Sequence, residues 1–378
     1  MKKAILVPDS FKGTISSKRI CEIMEKKIFD YFPDCEVIPI PVADGGEGSV
    51  DCFLEAAGGD KVTAQVQDPF GDEITAYYGI ISDRTAVIEM AVCAGLPLAE
   101  GREDPAITST YGVGQLIIDA AKRGCKKIIM CLGGSGTNDL GCGAAAAAGV
   151  KFFDKDGKEF IPTGGTLKDI ASVDLSGKDE ILDGVEFVTM CDIDNPLYGE
   201  TGAAYVFAPQ KGADKECVEM LDNGLRSAAK IINSATGKEI DFIAGSGAAG
   251  GMGAGMVAFF NSTLQMGIET MLDAVDFSTV IDGADVVFTG EGRFDSQSLR
   301  GKVVIGVSKR AKEKDVPVVV IAGDYDKKLD AAYENGVSAV FSTNRVAKDF
   351  SVIKGESIKN LELAFDNILR LISIFDKK

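Results

Sequence analysis

The sequence predicts an α/β protein: a Rossmann-like, doubly wound parallel-sheet domain interrupted by an inserted second α/β domain of mixed sheet. Three observations carry that expectation. Short apolar runs at 4–7, 127–132, 286–289 and 317–322 suit strands covered on both faces of a sheet. Polar, glycine-bearing loops follow most of these runs, and helical periodicity follows the loops. Between about 62 and 90 the style changes to hairpin-linked strands.

In order, the strand at 4–7 leads through a polar loop to a helix that Ser16 or Ser17 can cap. Ile20, Ile23, Met24, Ile28 and Tyr31 recur along it at helical spacing, and a second strand follows at 35–40. Strands at 62–67, 74–81 and 86–90, joined by the turn-rich segments 68–72 and 82–84, read as antiparallel. A helix at 114–122, a strand at 127–132 and an alanine-rich helix near 143–148 come next, then a strand at 185–190 and a helix at 215–232. The α/β style returns with strands at 286–289, 317–322 and 339–342, the helix 302–314 between the first two, and a closing helix at 358–374. The expected division is 1–62 with 262–378 as the discontinuous Rossmann-like domain and 63–261 as the insertion, with the active site in the cleft between them.

Composition narrows the function. With 378 residues the chain is too long for one ordinary core. A formal charge of −17 opposes a phosphate backbone, and no dense basic patch offsets it, so no nucleic-acid partner is expected. Nine cysteines without a C-x-x-C pair suit free thiols in a reducing cytoplasm. The apolar N-terminal run is too short for a signal peptide, and no stretch has the ~20 apolar residues of a membrane span. Nothing separates a monomer from a homodimer. With no histidine, acid–base work falls to Asp, Glu, Lys, Cys or Tyr.

Chemistry-bearing residues cluster in five loops: 9–13, 43–48, 133–139, 191–195 and 289–295. Gly133, Gly134, Ser135, Thr137, Asn138 and Asp139 form the best phosphate cradle, with glycine amides, hydroxyl donors and a following helix start; a ligand-free strand–helix turn is the plain alternative. Asp192 and Asp194, beside Asn195, are hard oxygen ligands suited to Mg²⁺, or else an Asx-turn before Pro196. Lys12 and Arg293 are isolated cations that could meet phosphate or carboxylate, or form ordinary ion pairs. Asp9, Asp44, Glu47, Asp192, Glu291 and Asp295 complete the candidate catalytic set. Gly245, Gly247 and Gly250 match G-x-G-x-x-G after a short expected strand at 241–244, with Glu269 about 20 residues on. Close packing, or phosphate contact of another sort, is the preferred explanation for those glycines over dinucleotide binding.

The loops PDSFKG at 8–13, PVADGGEG at 41–48, GGS at 133–135, TND at 137–139, PQKGA at 209–213 and TGEGR at 289–293 closely resemble the bacterial glycerate kinases of the first type, the glycerate 2-kinases. Gly136 stands where that family usually has alanine, and Leu140 where it often has glycine. The resemblance implies ATP-dependent phosphorylation of D-glycerate, usually to 2-phosphoglycerate rather than 3-phosphoglycerate, with Mg²⁺ and ADP release. It also implies a Rossmann-like domain with an inserted second domain. The expected roles are polyphosphate binding at 133–139, Mg²⁺ on Asp192 and Asp194, and charge neutralisation or a glycerate clamp from Lys12 and Arg293. The alternatives are a nucleotide-dependent oxidoreductase or other sugar-acid enzyme using the Gly245–Gly250 loop, and a non-catalytic small-anion sensor.

Overall fold

A computed structural model describes residues 1–43, 45–295, 298, 301–326, 329–346 and 349–376. In chain order the strands are β1 (Lys3–Pro8), β2 (Glu36–Pro39), β3 (Asp60–Gln67), β4 (Glu73–Ile81), β5 (Thr85–Glu89), β6 (Lys127–Cys131) and β7 (Lys151–Phe153). They continue with β8 (Glu159–Phe160), β9 (Ser172–Asp174), β10 (Glu186–Met190), β11 (Thr263–Gln265), β12 (Val286–Phe294), β13 (Val318–Tyr325) and β14 (Val337–Ser342). The chain forms two compact units: Met1–Ala43, Glu55–Ala57 and Met266–Lys378 make the first, Asp44–Leu54 and Gly58–Gln265 the second.

The first unit holds an all-parallel sheet in the order β14-β13-β12-β1-β2. Its inner strand β1 is apolar and buried from Ala4 onward because both faces are covered, as a parallel sheet requires. On one face Ala4, Leu6, Val286 and Phe288 share a core with Ile20, Met24 and Ile28 of helix Ser17–Tyr31 and with Phe365 and Leu369 of helix Ser357–Asp376. Phe288 and Phe365 meet edge-on at 5.0 Å. Helix Ser17–Tyr31 starts where Ser16 Oγ accepts the Arg19 amide, a standard N-cap. The alternate residues of β1, Ile5 and Val7, are equally buried, and helix Val303–Lys312 packs on β1 and β12.

The second unit is built on a mixed sheet in the order β11-β10-β6-β5-β4-β3. β11, β10, β6 and β5 run parallel, whereas β5–β4 and β4–β3 pair antiparallel. Helix Tyr111–Lys122 buries Val113, Leu116, Ile117 and Ala120 in this unit's core, and helix Lys215–Thr236 buries Leu221, Leu225, Ala228 and Ile232. A small antiparallel sheet, β8-β7-β9, lies beside them in sequence order after β6.

Three sequence expectations change. The segment 290–293 is not a loop: β12 runs on to Phe294, paired through Arg293 with Asp324 of β13. Gly290 permits this, because a Cβ there would sit 1.9 Å from Ile321 O. Residues 241–244 form turns rather than a strand. The segment that follows, for which no element is expected from sequence, is the helix Ala248–Phe260, kinked where Ala249, Gly250 and Gly251 take positive φ. No helix among the described residues is long and apolar enough to cross a membrane.

Candidate active site

In the first unit the ends of β1 and β12 gather half of the charged candidates. Pro8 pairs with Gly290, and the Asp9 amide donates to Gly290 O at 2.8 Å, so Asp9 emerges beside Glu291. The Ser10 amide donates to Asp9 Oδ1 at 2.6 Å. Lys12 is exposed on the turn that follows, and that turn lies on Gly292, where a Cβ would come 3.3 Å from Phe11 Cα. Glu291 is buried, and its Oε1 has no hydrogen-bond partner among the described residues. Burial pushes its carboxyl up to about 7; Asp9 and Asp295 add to the rise, while the Ser298 hydroxyl and Lys302 oppose it. Arg293 is 67% exposed and loosely tethered, 3.7 Å from Asp295 and 3.8 Å from Asp326. Pairs that long and exposed contribute little to stability, so the guanidinium is available to a ligand.

In the second unit the loops after β5, β6 and β10 leave adjacent parallel strands at their carboxyl ends, where α/β sheets bind ligands. Gly133 touches the 45–48 loop: its amide donates to Gly45 O at 2.8 Å, and a Cβ would lie 2.4 Å from Gly46 Cα. Gly45 in turn approaches Met190, one residue before the loop of Asp192 and Asp194. Glu47 is exposed in the 45–48 loop, and Asp44 lies outside the described residues. Asp192 is half-buried and Asp194 exposed, while Asn195 donates to Thr201 O at 2.8 Å. No group of three or more Cys, Asp or Glu side chains among the described residues is gathered for a metal. Two carboxylates completed by phosphate oxygens are nonetheless an ordinary Mg²⁺ donor set.

The 133–139 loop differs in detail from a helix-start cradle. The helix after it, Cys142–Ala147, is one short turn and a half, and Asp139 occupies its start. Asp139 accepts from the Thr110 amide at 2.7 Å, the Thr110 hydroxyl at 2.8 Å, and the Gly141 and Gly143 amides at 3.1 and 3.2 Å. Those helix amides are therefore spent on the protein's own carboxylate. What faces outward is Gly134, exposed at φ 74°, with Gly133 half-buried beside it; Ser135, Thr137 and Asn138 are buried.

Two participants were not singled out from sequence. Lys211 is 1% exposed, and its ammonium donates to Ser135 Oγ at 2.9 Å and Thr137 O at 2.6 Å. Glu89, at the end of β5, accepts from the Val50 amide at 2.6 Å and the Gly48 amide at 3.3 Å, anchoring the start of helix Ser49–Ala57. Burial raises its carboxyl despite those donors. The Gly245–Gly250 motif is a packing device. A Cβ on Gly250 would lie 2.1 Å from Thr137 O, and one on Gly247 2.2 Å from Pro196 O. With turns before it, the strand that a dinucleotide fingerprint needs is missing, and Glu269 is ion-paired to Arg310.

A doubly wound domain and a mixed-sheet insertion, with glycine-rich and acidic loops at the strand ends, place the chain in the α/β class, whose ligands bind at such loops. A family model described as the glycerate kinase family matches residues 4–373. The chain is 42% identical over 372 residues to a glycerate kinase of Halalkalibacterium halodurans, covering 97% of each chain. It is 40% identical over 342 residues to the glycerate 2-kinase of Escherichia coli, covering 90% of each. A crystal structure from Salmonella typhimurium LT2, assigned to glycerate kinase 2, superposes with a TM-score of 0.87 at 37% identity over the full length of both chains. The chain belongs to the glycerate kinase family, and it is an enzyme of that kind.

Proposed function

We propose that this chain transfers the γ-phosphoryl group of ATP to the 2-hydroxyl of D-glycerate, giving 2-phosphoglycerate and ADP. The observation that carries the site reading is the gathering of Asp9, Lys12, Glu291 and Arg293 at the ends of β1 and β12. The choice of the 2-hydroxyl takes its support from the likeness to the E. coli glycerate 2-kinase.

Phosphoryl transfer needs positioning and charge stabilisation more than covalent chemistry. Arg293, exposed and loosely held, offers the bidentate fork that suits the glycerate carboxylate, and Lys12 a point charge for phosphate or carboxylate. Burial lifts the Glu291 carboxyl to about 7, which suits a group that takes the hydroxyl proton on Oε1 as the oxygen attacks. Gly133, Gly134 and the buried polar groups behind them receive the polyphosphate. Mg²⁺ carried with ATP would be held by Asp192 and Asp194, and would supply neutralisation of charge on the phosphate oxygens. The nine cysteines, all free thiols, fit a cytoplasmic location.

A coupled assay of ADP release tests the reading. ADP should form with D-glycerate and not with L-glycerate or other hydroxy acids. ADP formation that is independent of D-glycerate, or stronger with another acid, overturns it.

A further inference from the structure

Lys211 sits on the short turn Pro209–Lys211 and sends its side chain into the interior of the second unit. An ammonium withdrawn from water is tolerated when acceptors surround it and costly otherwise. Here both acceptors, Ser135 Oγ and Thr137 O, are uncharged and belong to one loop. No carboxylate stands in ion-pair range of Lys211 among the described residues. The ionisable group acting on it is Asp139, whose carboxylate is already occupied by four donors.

Directly beside these contacts three polar atoms are unsatisfied. Thr137 Oγ1, Asn138 Oδ1 and Asn138 Nδ2 are all buried with no hydrogen-bond partner among the described residues. Buried polar atoms without partners are rare in folded proteins, and three on consecutive residues mark a place that something else completes. The backbone behind them is fixed, since Gly250 packs so closely that a Cβ would collide with Thr137 O. Two hydroxyl or amide donors next to an ammonium suit anionic oxygens.

We propose that Lys211 is the positioning residue of the phosphate-donor site: its ammonium ties Ser135 and Thr137 into one loop conformation and sets a positive charge beside the buried, unpartnered Thr137 and Asn138 groups, behind the Gly133 and Gly134 backbone that meets the phosphate oxygens of ATP. The inference rests on the reading that the 133–139 loop receives the phosphate donor. It has a consequence that a purely structural lysine lacks. Burial lowers Lys211 to about 7, partly offset by Asp139, so the ammonium loses its proton as pH rises through neutrality. An arriving anion favours the charged form, and ATP binding then draws in a proton.

The test compares Lys211→Met, Ser135→Ala and Gly134→Val with the wild-type protein. Circular dichroism checks folding, KM is measured separately for ATP and D-glycerate, and ATP binding is followed by calorimetry in buffers of differing ionisation enthalpy. Lys211→Met should raise KM for ATP by about tenfold or more, leave KM for D-glycerate unchanged, and abolish proton uptake on ATP binding. Ser135→Ala, which removes one hydroxyl and leaves the Thr137 carbonyl to hold the ammonium, should raise KM for ATP severalfold and carries the test if Lys211→Met does not fold. Gly134→Val examines the loop itself, because its positive φ and its Ala91 neighbour resist a branched side chain. If Gly134→Val weakens ATP binding while folded Lys211→Met and Ser135→Ala do not, the Lys211 proposal is wrong and the loop reading stands. If none of the three affects ATP, both are wrong. Equal rises in both KM values, or wild-type ATP binding without proton uptake, likewise overturn the proposal.

Discussion

Glu291 shows how a single buried side chain ties stability to function. Its folded-state value, about 7, lies above the ordinary carboxylate value of 4.5, so the ionised form destabilises the fold. The cost is absent below the unfolded value, grows as pH rises from there, and is complete above the folded value. Glu291→Gln should therefore raise the melting temperature at pH near 8 and leave it unchanged near 4.5. The gain should correspond to at most about 3 kcal/mol, the cost of holding the carboxylate ionised where burial resists it. Equal gains at both pH values would show that the carboxyl does not titrate as described. Asp9, Glu291 and Arg293 could be picked out from sequence because they adjoin apolar runs at strand ends. Lys211 could not, since its Ser135 and Thr137 partners are 76 and 74 residues away. No local pattern marks a lysine that turns inward, although the PQKGA segment drew attention through family likeness.

Among the elements, glycines decide where backbones approach, and their purpose is not legible from composition. The Gly290–Arg293 segment looks like a loop because it is polar and glycine-rich, yet it extends β12 because Gly290 lets β13 come close. The G-x-G-x-x-G match admits a nucleotide turn or, as the sequence reading prefers, close packing, and it does pack against the Thr137 and Asn195 loops. The buried strands β1 and β6 and the hairpin strands β3 and β4 were legible, being marked by apolar runs or turn residues. The two- and three-residue strands β7, β8 and β9 were not, since so short a stretch carries no period. Gly250 and Gly237 give a controlled comparison. Both have positive φ, 66° and 69°, but a Cβ on Gly237 meets nothing within 4 Å. Gly237→Ala should cost about 1 kcal/mol in urea unfolding, the penalty of the left-handed conformation alone. Gly250→Ala adds a collision with Thr137 O and should cost roughly 3 kcal/mol or more. Similar costs for the two would contradict the close-approach account.

For the whole molecule, a net charge of −17 opposes anionic ligands, so the proposed reaction of ATP with glycerate calls for locally placed cations. In the proposed sites Lys12 and Arg293 lie next to a buried carboxyl of the first unit, and Lys211 lies beneath a glycine-rich loop of the second. Family membership rests on likeness along nearly the full chain, from residue 4 to 373. The direct test of what the enzyme does is to follow phosphorus itself. ³¹P NMR of a reaction containing the protein, Mg-ATP and D-glycerate should show the γ-phosphate resonance of ATP decline as a phosphomonoester grows. That product should match authentic 2-phosphoglycerate. A phosphomonoester matching 3-phosphoglycerate would contradict the assigned position, and free inorganic phosphate in place of any ester would contradict the kinase reading altogether.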